Sequence, residues 1–340
     1  MSRPPVSGNP QGAPGSIRDG GRAPTGAAGT GAAGARPAGV RVVAPATSAN
    51  LGPGFDAAGL ALDWWDSLEV RSAPVTSVKI AGEQAEAIAA GEDNLVLRAM
   101  RHLAAAAGAD LPAVHLDLVK GFPLGRGFGS SAAAVTLGLL AARALLAPDL
   151  PDSALLSLAT ELEGHPDNVA PCLAGGATLC WSEGGAVRSR RVPVHPDLAA
   201  VALVARDPMA TTEARRLLPA EVPFGQAART AGRAALLAPA LGGDFDLLLP
   251  ATEDVLHQPA RLAAAPAGGL VLEALRDRGQ AAFLSGAGPS LLVLCPRSAQ
   301  AGACADAQEA LKAGGAEGWR VRPLELARIG AHAQADQELA

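Results

Sequence analysis

Tyrosine is absent from this 340-residue chain, lysine occurs three times, and aromatic residues make up 3%. Each scarcity excludes something. Lys79, Lys120 and Lys312 lie far apart, so no polybasic stretch exists to hold a membrane surface. A formal net charge of −5 gives no basic footprint for nucleic acid. The four cysteines (Cys172, Cys180, Cys295, Cys304) include no Cys-x-x-Cys pair and no zinc-ligand spacing, and are too few for a disulfide scaffold. They read as reduced thiols of a cytoplasmic protein. No Gly-Lys dipeptide occurs, which rules out a Walker A loop. The one Gly-x-Gly-x-x-Gly match, Gly29 to Gly34, has no strand before it, which argues against a dinucleotide-binding oxidoreductase. There is neither a signal-peptide apolar region nor a clean apolar run of transmembrane length.

What is present suffices for a packed core. Hydrophobic residues make up 49%, and the length suits one large domain or two smaller ones. Residues 1–39 are rich in Gly, Ala, Pro, Ser and Arg, and read as a disordered extension. Strands are expected at Val40–Val43, Ser67–Arg71, Val114–Val119, Thr178–Trp181, Ala199–Ala205, Ala281–Leu284 and Leu291–Leu294. Helices are expected at Asn94–Ala107, Ser130–Leu146, 151–163, Gln226–Leu237 and Pro266–Arg278. The mixed order, without strict alternation, predicts an α+β fold. A proline-containing break at Val192–Leu198 divides a domain over 40–195 from one over 196–330, followed by a tail, 331–340.

The chemistry concentrates in Pro123-Leu124-Gly125-Arg126-Gly127-Phe128-Gly129-Ser130-Ser131, between a strand and an apolar helix. Three alternating glycines let the backbone approach a ligand closely. The helix start aims free N–H groups into the loop, an arrangement that binds phosphate. The two serine hydroxyls suit phosphate oxygens or Mg²⁺, and Arg126 adds a cation. Five other stretches bear polar groups. Ala44 to Gly59 carries Asn50 and Asp56, an amide and a carboxylate that could receive an ammonium and a hydroxyl, or simply build turns. Thr160 to Pro171 carries Glu161 and Glu163, then a His165-Pro166-Asp167-Asn168 turn; such acids either face solvent or complete a Mg²⁺ shell. Leu284 to Ser290 is a glycine turn between strands. Arg215 follows Thr211-Thr212-Glu213-Ala214, and Arg261 closes Glu253 to Arg261. Asn94 reads either as a helix N-cap or as an adenine contact.

Pro-Leu-Gly-Arg-Gly-Phe-Gly-Ser-Ser-Ala-Ala resembles the phosphate-loop motif of the GHMP kinases, the family of galactokinases, homoserine kinases, mevalonate kinases and phosphomevalonate kinases. Phe128 stands where that pattern has leucine, another apolar residue. Ala44 to Gly59 and the two arginine stretches are similar to the homoserine-kinase branch, and Leu284 to Ser290 to the family's C-terminal glycine motif. The resemblance covers roughly Val40 to Leu326, with all motifs in family order.

It implies a two-domain GHMP-kinase fold and phosphorylation of the side-chain hydroxyl of L-homoserine by ATP with Mg²⁺, a step of threonine biosynthesis. By resemblance the loop, Pro123 to Ser131, holds ATP, with Asn94 near the adenine. Ser130 and Glu161 hold the metal, Glu161 matching the family carboxylate better than Glu163. Asn50, Asp56, His165, Arg215 and Arg261 bind homoserine, and Asp167 and Asn168 lie by the reacting hydroxyl, Asp167 as a weak base. Ala260 replaces a tyrosine usual before the second arginine. No nucleic-acid or membrane partner is implied, and a homodimer is compatible. A different GHMP kinase is disfavoured by the Asn50–Asp56 run and the arginines. A dead nucleotide-binding relative is disfavoured by the joint presence of Ser130, Ser131, Glu161 and Asp167.

Overall fold

The computed structural model describes residues 39–335. The expected extension therefore lies outside the described residues, except Gly39, which opens the first strand. The chain runs β1 (Gly39–Ala49), β2 (Ala58–Ser72), β3 (Ser77–Gly82), α1 (Leu95–Ala106), β4 (Val114–Lys120), α2 (Ser130–Leu146), α3 (Asp152–Glu163), α4 (Pro166–Ala174), β5 (Ala177–Glu183) and β6 (Ala186–Val192). There follow β7 (Leu198–Val204), α5 (Thr211–Arg216), α6 (Phe224–Ala235), α7 (Leu237–Gly242), α8 (Leu248–Ala251), α9 (Gln258–Ala263), α10 (Pro266–Asp277), β8 (Ala281–Leu284), β9 (Leu291–Pro296), α11 (Gln300–Ala313), β10 (Arg320–Leu324) and β11 (His332–Ala335).

Two sheets result. The first has the path β11-β1-β2-β4-β3, with β5 and β6 attached to β2; the second has the order β10-β7-β9-β8. Strand β2 organises the first sheet. Its C-terminal half, Ser67–Ser72, pairs with β4, while its start, Ala58–Leu60, pairs with β5. The β1–β2 register shifts between Pro45 and Ala46, where proline has no N–H for the ladder. Strand β7 is buried along its whole length. Leu198, Ala200, Ala202 and Val204 join the large core, while Val201 and Leu203 join a second core with α10 and α11. That is the period-two alternation of a sheet covered on both faces.

The arrangement is α+β, as expected. Two expectations need correction. The stretch after residue 330, read as a tail, contains β11, which pairs antiparallel with β1 from Val40 to Val43. The His165-Pro166-Asp167-Asn168 turn is the start of α4: proline at the first helical position tolerates the absence of an N–H donor there. Among the described residues no helix is long and apolar enough to cross a membrane.

Helix α2 is buried against β1, α1, α3 and α4, and Gly138 permits the tightest of these contacts. A Cβ there would lie 2.3 Å from the Val96 carbonyl oxygen and 2.7 Å from Ala99 Cβ. Gly138→Ala should therefore lower unfolding free energy by about 1–3 kcal/mol through overpacking. The urea midpoint measures this; an unchanged midpoint would mean that α1 can retreat freely.

Candidate active site

The glycine loop from Pro123 to Ser131 spans the gap between β4 and the buried helix α2. Gly125, Gly127 and Gly129 all adopt left-handed backbone, with φ of 63°, 83° and 65°. At Gly127 the reason is also contact: a Cβ would lie 2.1 Å from the Ser285 carbonyl oxygen, in the glycine turn after β8. The Ser285 hydroxyl donates to the Gly127 carbonyl at 2.7 Å and shares a hydrogen bond with Ser48 Oγ at 2.9 Å. The two glycine-rich turns thus rest backbone on backbone.

Beneath the loop is a buried ion pair that sequence reasoning missed. Lys120 Nζ contacts Asp66 Oδ2, with both side chains almost inaccessible. Lys120 also donates to Ser130 Oγ at 2.9 Å, and Asp66 Oδ1 accepts from the Gly121 amide at 2.8 Å. Burial pushes the Asp66 carboxyl up and the Lys120 ammonium down, and each group opposes the shift of the other. Strand alternation marks Asp66 only as one inward position on β2, so no spacing announces its partner 54 residues on.

A polar cavity lies above the loop, lined by the glycines, Ser130 and Ser131, and by side chains from five other segments. Glu163, the last residue of α3, accepts from Ser131 Oγ. Burial raises its carboxyl above the ordinary value, and no ion pair satisfies it among the described residues. Glu161, the residue favoured from sequence, is placed elsewhere: it is exposed and meets His102 Nε2 at 2.9 Å. Residues two apart on a helix point roughly 200° apart, so only one of these acids can face the cavity. An oxygen set of Ser130, Ser131 and the uncompensated Glu163 fits a Mg²⁺ ion, which prefers few carboxylates and keeps room for phosphate and water.

Arg126 also departs from expectation. Its guanidinium donates to the Leu124 carbonyl at 2.6 Å and to the Arg206 carbonyl at 2.6 Å, tying the loop to the segment after β7. Phe128 is buried and packs on Trp64 at 5.7 Å between ring centres. Pro123 is likewise buried.

A second, largely apolar cavity of about 220 Å³ adjoins the first, sharing Gly125, Ser130 and Ser131. Leu124, Ile88, Val96, Leu118 and Leu137 form its walls. Asn94 is the N-cap of α1 and also faces this cavity. Its Oδ1 accepts from the Val96 and Leu97 amides at 3.1 and 3.3 Å.

The far wall of the polar cavity is charged. Asp56 sits at φ 56° and pairs bidentately with Arg215 of α5, at 2.8 and 3.1 Å. Asn50 stands behind it, accepting from the Asp56 amide at 3.0 Å and donating to the Gly286 carbonyl at 2.9 Å. Arg261 of α9 donates to the same carbonyl at 3.1 Å. The Phe55 ring lies 5.7 Å from the Arg215 guanidinium carbon and 5.5 Å from that of Arg261. His165 Nδ1 lies 2.8 Å from Asp167 Oδ1, and that hydrogen bond pushes the imidazole above its ordinary value. Thr47 Oγ1 donates to Asn168 Oδ1 at 2.8 Å, which leaves the Asn168 amide hydrogens for the cavity. Asn50, Asp56, His165, Asp167, Asn168, Arg215 and Arg261 all line one cavity with the loop.

Lys120→Met leaves the buried Asp66 carboxylate uncompensated. It should lower unfolding free energy by roughly 3–5 kcal/mol in urea titration. A change of less than about 1 kcal/mol would remove the pair from the foundations of the loop.

Residues 94–176 match the GHMP kinases N terminal domain. The chain is 45% identical to the homoserine kinase of Streptomyces coelicolor over 295 residues, 86% of this chain and 93% of that one. It is 47% identical to the homoserine kinase of Clavibacter michiganensis over 258 residues, 75% of this chain and 82% of the relative. The crystal structure of homoserine kinase from Cytophaga hutchinsonii superposes with a TM-score of 0.76 at 29% identity, covering 87% of this chain and 98% of that one. Mevalonate diphosphate decarboxylase from Enterococcus faecalis shares the fold, with a TM-score of 0.65 at 15% identity and coverage of 88% and 99%. A glycine loop seated against a second glycine turn, facing Arg215 and Arg261, thus agrees with sequence similarity along most of the chain, which belongs to the homoserine kinase family within the GHMP kinases.

Proposed function

We infer that the protein transfers the γ-phosphoryl group of ATP to the side-chain hydroxyl of L-homoserine, giving O-phospho-L-homoserine and ADP on the route to threonine. One observation carries this reading. One cavity is lined by the loop at 125–131 and by Asp56, Arg215 and Arg261, a carboxylate and two arginines that complement an α-amino acid.

The left-handed glycines and the start of α2 present backbone N–H groups to the ATP phosphates. The apolar cavity takes the adenine, with Asn94 at its edge. Glu163, Ser130 and Ser131 would hold Mg²⁺, which neutralises phosphate charge as it transfers. Arg215 and Arg261 receive the substrate carboxylate, and Asp56 its ammonium. Asn50 holds Asp56 and the Gly286 turn in place. Asn168, with its amide oxygen engaged by Thr47, donates to the substrate hydroxyl. Asp167 is the carboxylate in position to accept the hydroxyl proton. Its hydrogen bond to His165 fixes its direction, and orientation of the hydroxyl supplies most of the rate. Residues 40–195 act as the nucleotide domain and 196–330 as the domain that brings Arg215, Arg261 and the second glycine turn to the cleft. The free cysteines, three of them buried, suit a reducing cytoplasm.

ADP release from Mg-ATP should require L-homoserine and fail with mevalonate, which lacks an ammonium for Asp56. Release that ignores homoserine would overturn the reading. Glu163→Gln should reduce kcat/KM by on the order of 100-fold through a weaker metal site. Glu161→Gln should stay within about two-fold of wild type, since its carboxylate faces away. The opposite ranking would return the metal to Glu161.

A further inference from the structure

His257 has no role in the chemistry described so far, yet it is buried to 1% exposure directly behind Arg261. It precedes α9, and its amide donates to Asp254 Oδ2 at 3.0 Å, so its backbone is fixed. Its ring Nε2 lies 2.8 Å from the Gly52 carbonyl oxygen. A carbonyl can only accept, so the proton resides on Nε2 and Nδ1 carries a bare lone pair. That lone pair meets Arg261 Nη1 at 3.1 Å. The ring face packs on Phe55, 5.2 Å between ring centres.

We propose that His257 is a positioning residue for substrate binding, whose unprotonated Nδ1 holds the Arg261 guanidinium in the orientation that receives the acceptor's carboxylate. The proposal rests on the amino-acid kinase reading above and adds to it the group that aims the arginine. Arg261 spends Nη1 on His257 and Gly286, and Nε on the Ala214 carbonyl at 3.4 Å. Its Nη2 has no partner among the described residues, and that edge of the fork is left for a ligand.

The arrangement works with a neutral ring only. A proton on Nδ1 would set N–H against N–H and place two cations in contact. Charged groups approach the ring from every side: Asp254 on the preceding turn, 3.6 Å from Nε2; Arg261 on α9; Asp56 in the loop after β1; and Arg215 across Phe55. Burial pushes the imidazole below its ordinary value, and Arg261 pushes the same way. The sign follows. The ring stays neutral above the ordinary imidazole range, near pH ~6.5, and protonates only as pH falls below it. The KM for the acceptor should therefore be flat near neutrality and rise in acid.

Two near-isosteric variants of the full chain separate aiming from packing. His257→Asn keeps an acceptor oxygen where Nδ1 was and loses the Nε2 donor. His257→Gln keeps a donor toward Gly52 and loses the acceptor. Both lose the ring on Phe55 equally. His257→Gln should raise the KM for L-homoserine roughly ten-fold or more, while His257→Asn stays within about three-fold of wild type. The KM for ATP should hold in both. Equal homoserine KM values in the two variants, or a parallel rise in the KM for ATP, would reduce His257 to packing. In ¹⁵N NMR of the wild-type chain the ring should carry its proton on Nε2, and a proton on Nδ1 would overturn the proposal. A wild type idle with homoserine would bring down the kinase reading and the clamp together; an active wild type with matched variants would bring down His257 alone.

Discussion

The site stands on the contact of Lys120 with Asp66. Asp66 belongs to β2 and Lys120 ends β4, so the pair joins adjacent strands where the chain leaves the sheet for the phosphate loop. Lys120 then reaches Ser130, the first residue of α2. One buried ammonium therefore links sheet, loop and helix start. Two charges taken out of water are expensive unless each is well bonded, and here each has a further hydrogen bond. The result is a glycine loop held in place from the sheet on one side and the helix start on the other.

A second constraint is backbone proximity. Gly127 touches the Ser285 carbonyl, and the Gly286 carbonyl accepts from both Asn50 and Arg261. The turn after β8 thereby supports the loop on one side and both halves of the charged wall on the other. No side chain larger than hydrogen at Gly127 allows this without moving Ser285.

Much of this is legible in the residues. Helix α2 begins and ends as its apolar run indicates, because only Thr136 and Gly138 interrupt that run between Ala132 and Ala142. The glycine spacing locates the loop, and the polar runs identify seven side chains that meet in one cavity. The failures have physical causes. Glu161 and Glu163 differ only in helical phase, which depends on which face of α3 meets α2 and α4. Arg126 reads as a phosphate ligand because local sequence cannot reveal the Arg206 carbonyl, 80 residues away, that captures it. Asp66 and Thr47 act through partners distant in sequence, and local spacing carries no trace of them. His257 stands only four residues before Arg261, but the Gly52 carbonyl that fixes its ring is 205 residues away. The final strand β11 is four residues long, and its pairing with β1 is entirely non-local.

The bidentate contact between Asp56 and Arg215 gives the cleft an internal salt that copies the charges of its proposed ligand. Admission of an amino acid is then an exchange reaction. A zwitterion opens one ion pair and closes two, whereas a simple amine or a simple acid trades one for one and strands a partner. Selectivity for amino acids over alcohols of similar size follows from that stoichiometry of charge, before the shape of the side chain is consulted at all.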